Sequence, residues 1–347
     1  MTVPVETTQA QDTPELHAKS EVPAAYWEIL ARVGFPMQEL RRLGQVRTAR
    51  SALDLAVTGA SVLAVPTLYV LFPHPLTFAV CFLLSIRAFN CLAQLVHMSD
   101  HGALFANPTT NRIFGNLSAY CLGYTRTGHR LTHMDHHRYL NSPRDPDRIW
   151  GAPDESTRDL LRRWTRDFAF VSALERLLQY SQSDGREGRG SVWRMLLPAA
   201  LFPMVVRMLP VIVTQLVIIA IYTAILGPVY YVLLYALPIL TLYPAQIRLR
   251  SAVEHSFAAG VTSPPELWVS RTTRGQLIER FVFAPLGINY HFEHHLFPAV
   301  PHYNLRRLHR LLVRSGFPVP VVTSYVSFVI EKNRAERSIA RRPVTIA

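Results

Sequence analysis

Three clusters of histidine are the residues of this chain best suited to chemistry. Within each cluster the spacing is i, i+4 or i, i+3, i+4, so on a helix the imidazoles share one face and converge on one point. The clusters, called boxes here, are His97 and His101; His133, His136 and His137; and His291, His294 and His295. Imidazole at this density suits iron, zinc, copper or nickel and suits magnesium or calcium poorly. The boxes therefore predict a transition-metal site.

The elements that position the boxes are predicted to be membrane helices. Of the 347 residues, 49% are apolar, and the mean hydropathy is mildly positive, which is typical of a membrane protein. Apolar runs long enough to cross a bilayer predict four spans, at about 52–72, 76–96, 208–226 and 229–246. Pro238 and Pro244 are expected to kink the fourth span. The apolar stretch 116–124 is too short to span and is expected to be buried or re-entrant.

Charge predicts the topology. The net charge is +12, and the turns near Pro73 and Gly227 contain no arginine or lysine. The positive-inside rule then places the remaining segments, both termini and all three boxes in the cytoplasm, as a shared metal site requires. The two charges inside the first two predicted spans are Asp54 and Arg87. Asp54 can lie at the membrane interface, whereas Arg87 is deep, and either a functional role or a structural hydrogen bond would explain it.

The flanking segments complete the domain organisation. Residues 1–50 are predicted to be a disordered tail followed by amphipathic helices on the membrane surface. Residues 51–312 form the membrane core, in which 156–180 is a surface helix and 183–190 a flexible loop. Residues 313–347 are predicted to be a basic cytoplasmic tail. The sequence thus predicts an all-α integral membrane protein with about four spans and a cytoplasmic helical cap.

Composition also argues against several other classes. The three cysteines form neither a paired framework nor a Cys-x-x-Cys site. No basic run is interleaved with aromatic residues as in a nucleic-acid-binding module, so no nucleic-acid partner is expected. A metal transporter would hold its ligands near the bilayer midplane, whereas every box lies at or beyond a helix end. The arginine bias is typical of a GC-rich genome and indicates a bacterial inner membrane.

The boxes and their surroundings resemble the membrane fatty acid desaturase superfamily over about residues 80–310. The segment Asn-Tyr-His-Phe-Glu-His-His-Leu-Phe-Pro at 289–298 is similar to the third box of that family. His-His-Arg-Tyr-Leu-Asn, followed by Asp145-Pro146-Asp147, resembles the region after its second box. The His-x3-His spacing of the first box is more similar to acyl-lipid than to acyl-CoA members.

The resemblance implies a cofactor and a set of ligands. Members of the family hold two non-haem irons with about nine histidines and use O2 as co-substrate. Eight of the nine are the box histidines, and His255 resembles the usual ninth ligand. Acidic neighbours of the ligands are candidates to orient the ligating rings, since each ring needs a partner for its second nitrogen: Asp100, Asp135, Glu254 and Glu293. No separate catalytic acid or base is assigned. His129, four residues before His133, could be a tenth ligand, although we expect it to support the ligands or lie at the surface.

The resemblance also implies the reaction. We expect O2-dependent desaturation of a fatty acyl chain, with a lipid-linked chain as substrate. Hydroxylation or ketolation of a carotenoid or other lipid, and desaturation of a specialised metabolite, remain open because relatives with those activities share the boxes. The chain contains no His-Pro-Gly-Gly motif, so electrons are expected from a separate acidic carrier such as a ferredoxin, a rubredoxin or a cytochrome b5, attracted by the arginine-rich face.

Overall fold

The computed structural model describes residues 24–150, 155–181, 198–255 and 270–340. The described part is almost entirely helical, as predicted. Its α-helices in chain order are α1 Ala24–Arg32, α2 Met37–Leu43, α3 Thr48–Leu71, α4 Pro75–Asp100, α5 Pro108–Cys121, α6 Arg126–Tyr139, α7 Thr157–Phe168, α8 Val171–Ser181, α9 Pro198–Ile225, α10 Pro228–Tyr231, α11 Leu237–Leu240, α12 Leu242–His255, α13 Leu277–Val282, α14 His291–Leu296, α15 His302–Arg314 and α16 Tyr325–Ala340. Two short strands, β1 Thr272–Thr273 and β2 Val321–Val322, pair in parallel. The predicted tail before residue 24 and the predicted loop at 183–190 lie outside the described residues.

Four helical segments are long and apolar enough to cross a membrane, which confirms the predicted fold class. They cover Thr48–Leu71, Pro75–Asp100, Phe202–Ile225 and Pro228–His255. The second and fourth segments extend beyond the predicted ends, so that His97 and His255 are themselves helical residues. Because these two histidines lie in one cluster, described below, both segments end on the same side of the membrane, here called the histidine side.

The turns between the spans lie on the opposite side. His74 caps α4, because its Nδ1 accepts a hydrogen bond of 3.1 Å from the N–H of Leu76, and Pro75 occupies the first helical turn, where its missing N–H costs nothing. Gly227 adopts a φ of +103°, which a residue with a Cβ would rarely adopt.

The fourth span is irregular where the prolines predict it. Residues Val232–Ala236 are π-helical, and the helix breaks at Thr241, with φ −120° and ψ −77°. Pro238 has no N–H to offer the carbonyl of Leu234 four residues earlier. That carbonyl instead accepts a hydrogen bond of 2.7 Å from the Ser85 hydroxyl of α4, so the irregular turn also joins two spans.

Helix α5 lies against α4 and does not span. Gly115 allows the close approach, because a Cβ at this position would lie 2.0 Å from Ser99 Oγ. In the stretch 116–124, expected to be buried or re-entrant, Ala119, Leu122 and Tyr124 are buried in the core between the spans. The predicted surface helix at 156–180 is two helices, α7 and α8.

The cap is completed by both ends of the described chain. Helices α1 and α2 occur where amphipathic helices were predicted, but their apolar face packs on protein: Tyr26, Leu30 and Leu40 are buried against Leu305 and Leu308 of α15. The apolar face of α1 and α2, which we expected to contact lipid, is therefore buried against α15.

The folded region also extends beyond residue 312, where a tail was expected. Strand β2 pairs with β1, and Tyr325 of α16 is fully buried. The Tyr325 hydroxyl lies 3.0 Å from a carboxylate oxygen of Glu254 at the end of the fourth span. Residues 313–340 therefore pack on the end of the membrane core.

Candidate metal centre

Nine histidines from four segments meet on the histidine side of the membrane. Within each of two groups, one ring nitrogen from every member lies within 4.8 Å of those from the others. The first histidine group is His97, His101, His133, His137 and His294; the second histidine group is His136, His255, His291 and His295. The structure thus brings together all eight box histidines and His255.

Each box of three divides between the two groups, so the prediction that its three rings converge on one point is wrong. The i, i+4 pair His133 and His137 belongs to the first group, while His136 belongs to the second. In the third box the pair His291 and His295 belongs to the second group. The reason is the helical turn of 3.6 residues, which separates neighbouring side chains by about 100° but those at i and i+4 by only about 40°.

The Nε2 atoms point inward and lie close together. In the first group, Nε2 of His294 lies 2.7 Å from Nε2 of His97 and 3.2 Å from Nε2 of His137. In the second group, Nε2 of His291 lies 2.8 Å from Nε2 of His255 and 3.0 Å from Nε2 of His295. Lone pairs on such closely spaced nitrogen atoms repel each other, and a cation bound between them would relieve this repulsion.

Six of the rings outside the spans are neutral at ordinary pH. Burial, followed by repulsion from neighbouring cationic groups, lowers the pKa of six rings well below the ordinary histidine value: His101, His133, His137, His291, His294 and His295. Neutral imidazole is the form that binds a metal, because only then does a ring nitrogen carry a free lone pair.

One carboxylate visibly orients a ring. Oδ1 of Asp145 lies 2.9 Å from Nδ1 of His136, and the carboxylate also accepts hydrogen bonds from the backbone N–H groups of Asn141 and Asp147. Burial raises the pKa of Asp145, but these hydrogen bonds outweigh it and leave the pKa lowered. The ionised carboxylate holds the His136 proton on Nδ1 and leaves the Nε2 lone pair facing the second group.

Replacing Asp145 with asparagine should weaken metal binding by about 10–100-fold, the usual effect of losing such an outer contact. The measurement is the iron retained by the purified protein during titration with a chelator. Asp135→Asn is the matched control, because Asp135 lies beside the same box but makes no hydrogen bond or ion pair within the described residues. A larger loss of iron in the Asp135 variant would contradict the assignment.

Three of the four acidic residues proposed from sequence, Asp100, Glu254 and Glu293, have their contacts further from the ring nitrogens of the two groups, and Asp135 makes none within the described residues. Asp100 contacts His129 and Arg126, and Oε2 of Glu254 is 3.7 Å from Nδ1 of His291, beyond hydrogen-bond distance. Glu293 accepts hydrogen bonds from Thr272 and His309. The sequence analysis missed Asp145 because it lies nine residues after His136, the ring that it contacts. The signal that could have found it is the Asp-Pro-Asp motif at 145–147, on the turn after the second box.

Two histidines outside the nine, His129 and His302, contact carboxylates. Nδ1 of His129 lies 2.6 Å from Oδ2 of Asp100, so this ring is tied to the outer layer and belongs to neither group. His302 is buried, with Nε2 3.0 Å from Oδ2 of Asp54, which joins α15 to the first span.

One cavity is lined by the histidines, and a second lies beside it. A small cavity of about 120 Å³ is lined by rings of both groups, among them His97, His133 and His255. A second cavity of about 320 Å³ lies between α8 and the third and fourth spans and is mainly apolar. Both cavities are lined by Tyr124 and Arg176, so these two side chains form part of the wall of each cavity.

Arg176 is held in place by aromatic rings. Its guanidinium carbon lies 5.0 Å from the ring centroid of Tyr243 and 5.6 Å from that of Tyr124, within the range of cation–π attraction. The side chain is buried. An apolar molecule lying in the larger cavity would therefore reach the histidines past a fixed cationic group.

The donor set fits a resident transition metal, since the two groups consist only of imidazole rings. Nδ1 of His291 and of His294 is buried without a hydrogen-bond partner among the described residues. No individually curated protein matches the chain at a significant level. The family described as fatty acid desaturase matches residues 73–324, a stretch that contains all three boxes and His255. With four candidate spans and two histidine groups that suit iron, the chain belongs to the fatty acid desaturase family and is an oxidoreductase of the membrane.

Proposed function

We propose that the protein desaturates a lipid-linked fatty acyl chain, using O2 and electrons from a separate carrier. The observation that carries the proposal is the pair of cavities that share Tyr124 and Arg176 in their walls. An acyl tail would be buried in the apolar cavity, and two of its methylenes would reach the histidines through the smaller one. Family membership supports oxygen-dependent modification of a lipid; the choice of desaturation and of an acyl substrate is ours.

The nine histidines are the proposed iron ligands, five for one ion and four for another. Bound iron would supply the oxidation by O2 that amino-acid side chains cannot perform. The protein's own contribution is to bind and orient. Asp145 holds the proton of His136 on Nδ1, the buried rings keep bulk water from the centre, and Tyr124 and Arg176 limit the paths along which a chain can approach.

The proposed reaction balances with one molecule of O2. Two hydrogens leave adjacent carbons of the chain, two electrons come from the carrier and two protons from solvent, and two waters form. Hydroxylation uses the same iron ligands but leaves one oxygen on carbon. Placement of the two methylenes decides between these outcomes, and misplacement of about 1 Å can change a rate by roughly 100-fold.

The expected product is an acyl chain lighter by two hydrogens. Membranes that contain the protein, an electron carrier and 18O2 should yield this product without label in the lipid, as measured by mass spectrometry of released fatty acids. His294→Ala membranes are the control for background activity. A product with one 18O on carbon would place the protein with hydroxylases or ketolases instead.

We also propose that the histidine side faces the cytoplasm of a bacterial cell. The turns at Pro73 and Gly227 contain no arginine, whereas Arg41, Arg42, Arg310 and Arg314 are exposed on the cap. These arginines would attract an acidic carrier. Reporter fusions after Arg50 should be cytoplasmic and tags in the Gly227 turn external; a cytoplasmic tag at Gly227 would reverse this orientation.

A further inference from the structure

A third, larger cavity lies away from the metal centre. Its volume is about 670 Å³, and it is open to the surface and lined by the start of α3, Arg87 of α4, the segment from α13 to Tyr290, and α15. None of its lining residues lines either of the two cavities described above. The proposed desaturation uses no part of it.

The cavity is strongly basic. Its lining residues include six arginines and no aspartate or glutamate: Arg47, Arg50, Arg87, Arg280, Arg306 and Arg307. Arg50 pairs with Asp54, at 3.1 Å between Nε and Oδ2. Within the described residues the other five make no ion pair with a carboxylate. Grouping these cations costs free energy through mutual repulsion, and a bound anion would relieve that cost.

The surroundings of Arg87 favour binding of an anion in this cavity. It belongs to the second span, and its guanidinium carbon lies 4.5 Å from the ring centroid of Phe281 in the cavity lining. Nε of Arg87 is buried and has no hydrogen-bond partner among the described residues. A charged side chain on a membrane helix is costly unless it is used, and a guanidinium is well suited to phosphate oxygens.

One edge of the cavity is apolar, so a ligand that fills the cavity must also contact apolar side chains. Leu277 and Phe281 of α13 line the same cavity and are 75% and 47% exposed, and Ile278 beside them is 76% exposed. On the neighbouring first span, Leu53 and Val57 are exposed as well. Leu53 and Val57 lie near the start of α3, which is long and apolar enough to cross a membrane, so this apolar surface would adjoin lipid head groups at that end of the span.

We propose that this cavity binds an anionic phospholipid, with its phosphate among the arginines and its acyl chains along α13 and the first span. Both features are needed for this choice. A soluble phosphate compound would satisfy the arginines but leave the apolar edge exposed, whereas a neutral lipid would cover the apolar edge and leave the arginines without an anion.

The test measures lipid binding to the full purified chain by native mass spectrometry. Phosphatidylglycerol and phosphatidylcholine are each titrated against the wild-type protein, and we expect phosphatidylglycerol to bind at least about tenfold more tightly. Arg306→Gln combined with Arg307→Gln should remove most of that preference. Arg310→Gln combined with Arg314→Gln, exposed on the same helix but outside the cavity lining, is the matched control and should keep it.

Each other outcome overturns the proposal. Equal binding of the two lipids would exclude an anionic head group, and competition by millimolar inorganic phosphate for the same arginines would identify a soluble phosphate as the ligand. Equal losses in the two double variants would mean general surface charge and no defined cavity. Iron content and the thermal unfolding midpoint confirm that the variants are folded, and both readouts are independent of any desaturase activity.

Discussion

His294→Ala should abolish turnover and remove iron from the first histidine group. Its ring is fully buried, with Nε2 2.7 Å from Nε2 of His97, so alanine removes a proposed ligand and leaves a space among the remaining rings. Loss of an outer contact already weakens metal sites by up to about 100-fold, and loss of a direct ligand should exceed that. We expect activity below detection.

Metal analysis separates this effect from a general loss of activity. Purified wild-type protein should contain about two iron ions per chain, one for each histidine group. His294→Ala and His295→Ala, which alter different groups, should each retain about one. The control is His74→Asn, at the exposed turn on the opposite side, where asparagine can still cap α4. Active protein that contains one zinc ion and no iron would disprove the iron assignment.

Asp167→Ala should have the largest effect on stability. Asp167 and Arg248 are both buried, and their bidentate contact has distances of 2.8 and 2.9 Å. Arg248 also donates to the backbone carbonyls of Ile149 and Trp150, so it ties the cap to the fourth span. Removing the carboxylate leaves a buried cation without its counterion, which costs about 3–5 kcal/mol.

The measurement is the thermal unfolding midpoint of the protein in detergent. Arg166 and Glu175 provide a matched comparison. They form an ion pair between α7 and α8 in which each side chain is about half exposed. Exposed pairs contribute about 0–1 kcal/mol, so Glu175→Ala should change the midpoint little. Equal shifts of the unfolding midpoint in the two variants would show that the buried Asp167–Arg248 pair stabilises the protein no more than an exposed pair does.

Contacts between helices distant in sequence decided which acidic residues support the site. Glu293 is next to a box histidine in sequence, yet its partners are Thr272 and His309, because on a helix adjacent side chains point in different directions. Asp145 lies on a turn after α6 and reaches back to His136. A rule based on sequence neighbours therefore selected Glu293 and missed Asp145.

The sequence by itself determined the features that depend on local spacing and composition. Apolar runs of the right length predicted four spans, Pro238 predicted the irregular turn of the fourth, and the i, i+3, i+4 histidines predicted a metal site. These signals are local, since helix length, the missing proline N–H and the helical turn each act within a few residues. They were sufficient to predict the fold class, whereas the family was predicted from the resemblance of the boxes and the residues beside them.

Only the tertiary structure decided how the histidines are shared. Helix geometry sends His136 and His137 in different directions, but the packing of α4, α6, α12 and α14 determines which partners each ring meets. Tertiary structure also decided the basic cavity, because its six arginines range from Arg47 to Arg307 in the sequence and meet only in the folded chain. No local pattern encodes such a meeting, because it depends on burial and packing of the whole chain.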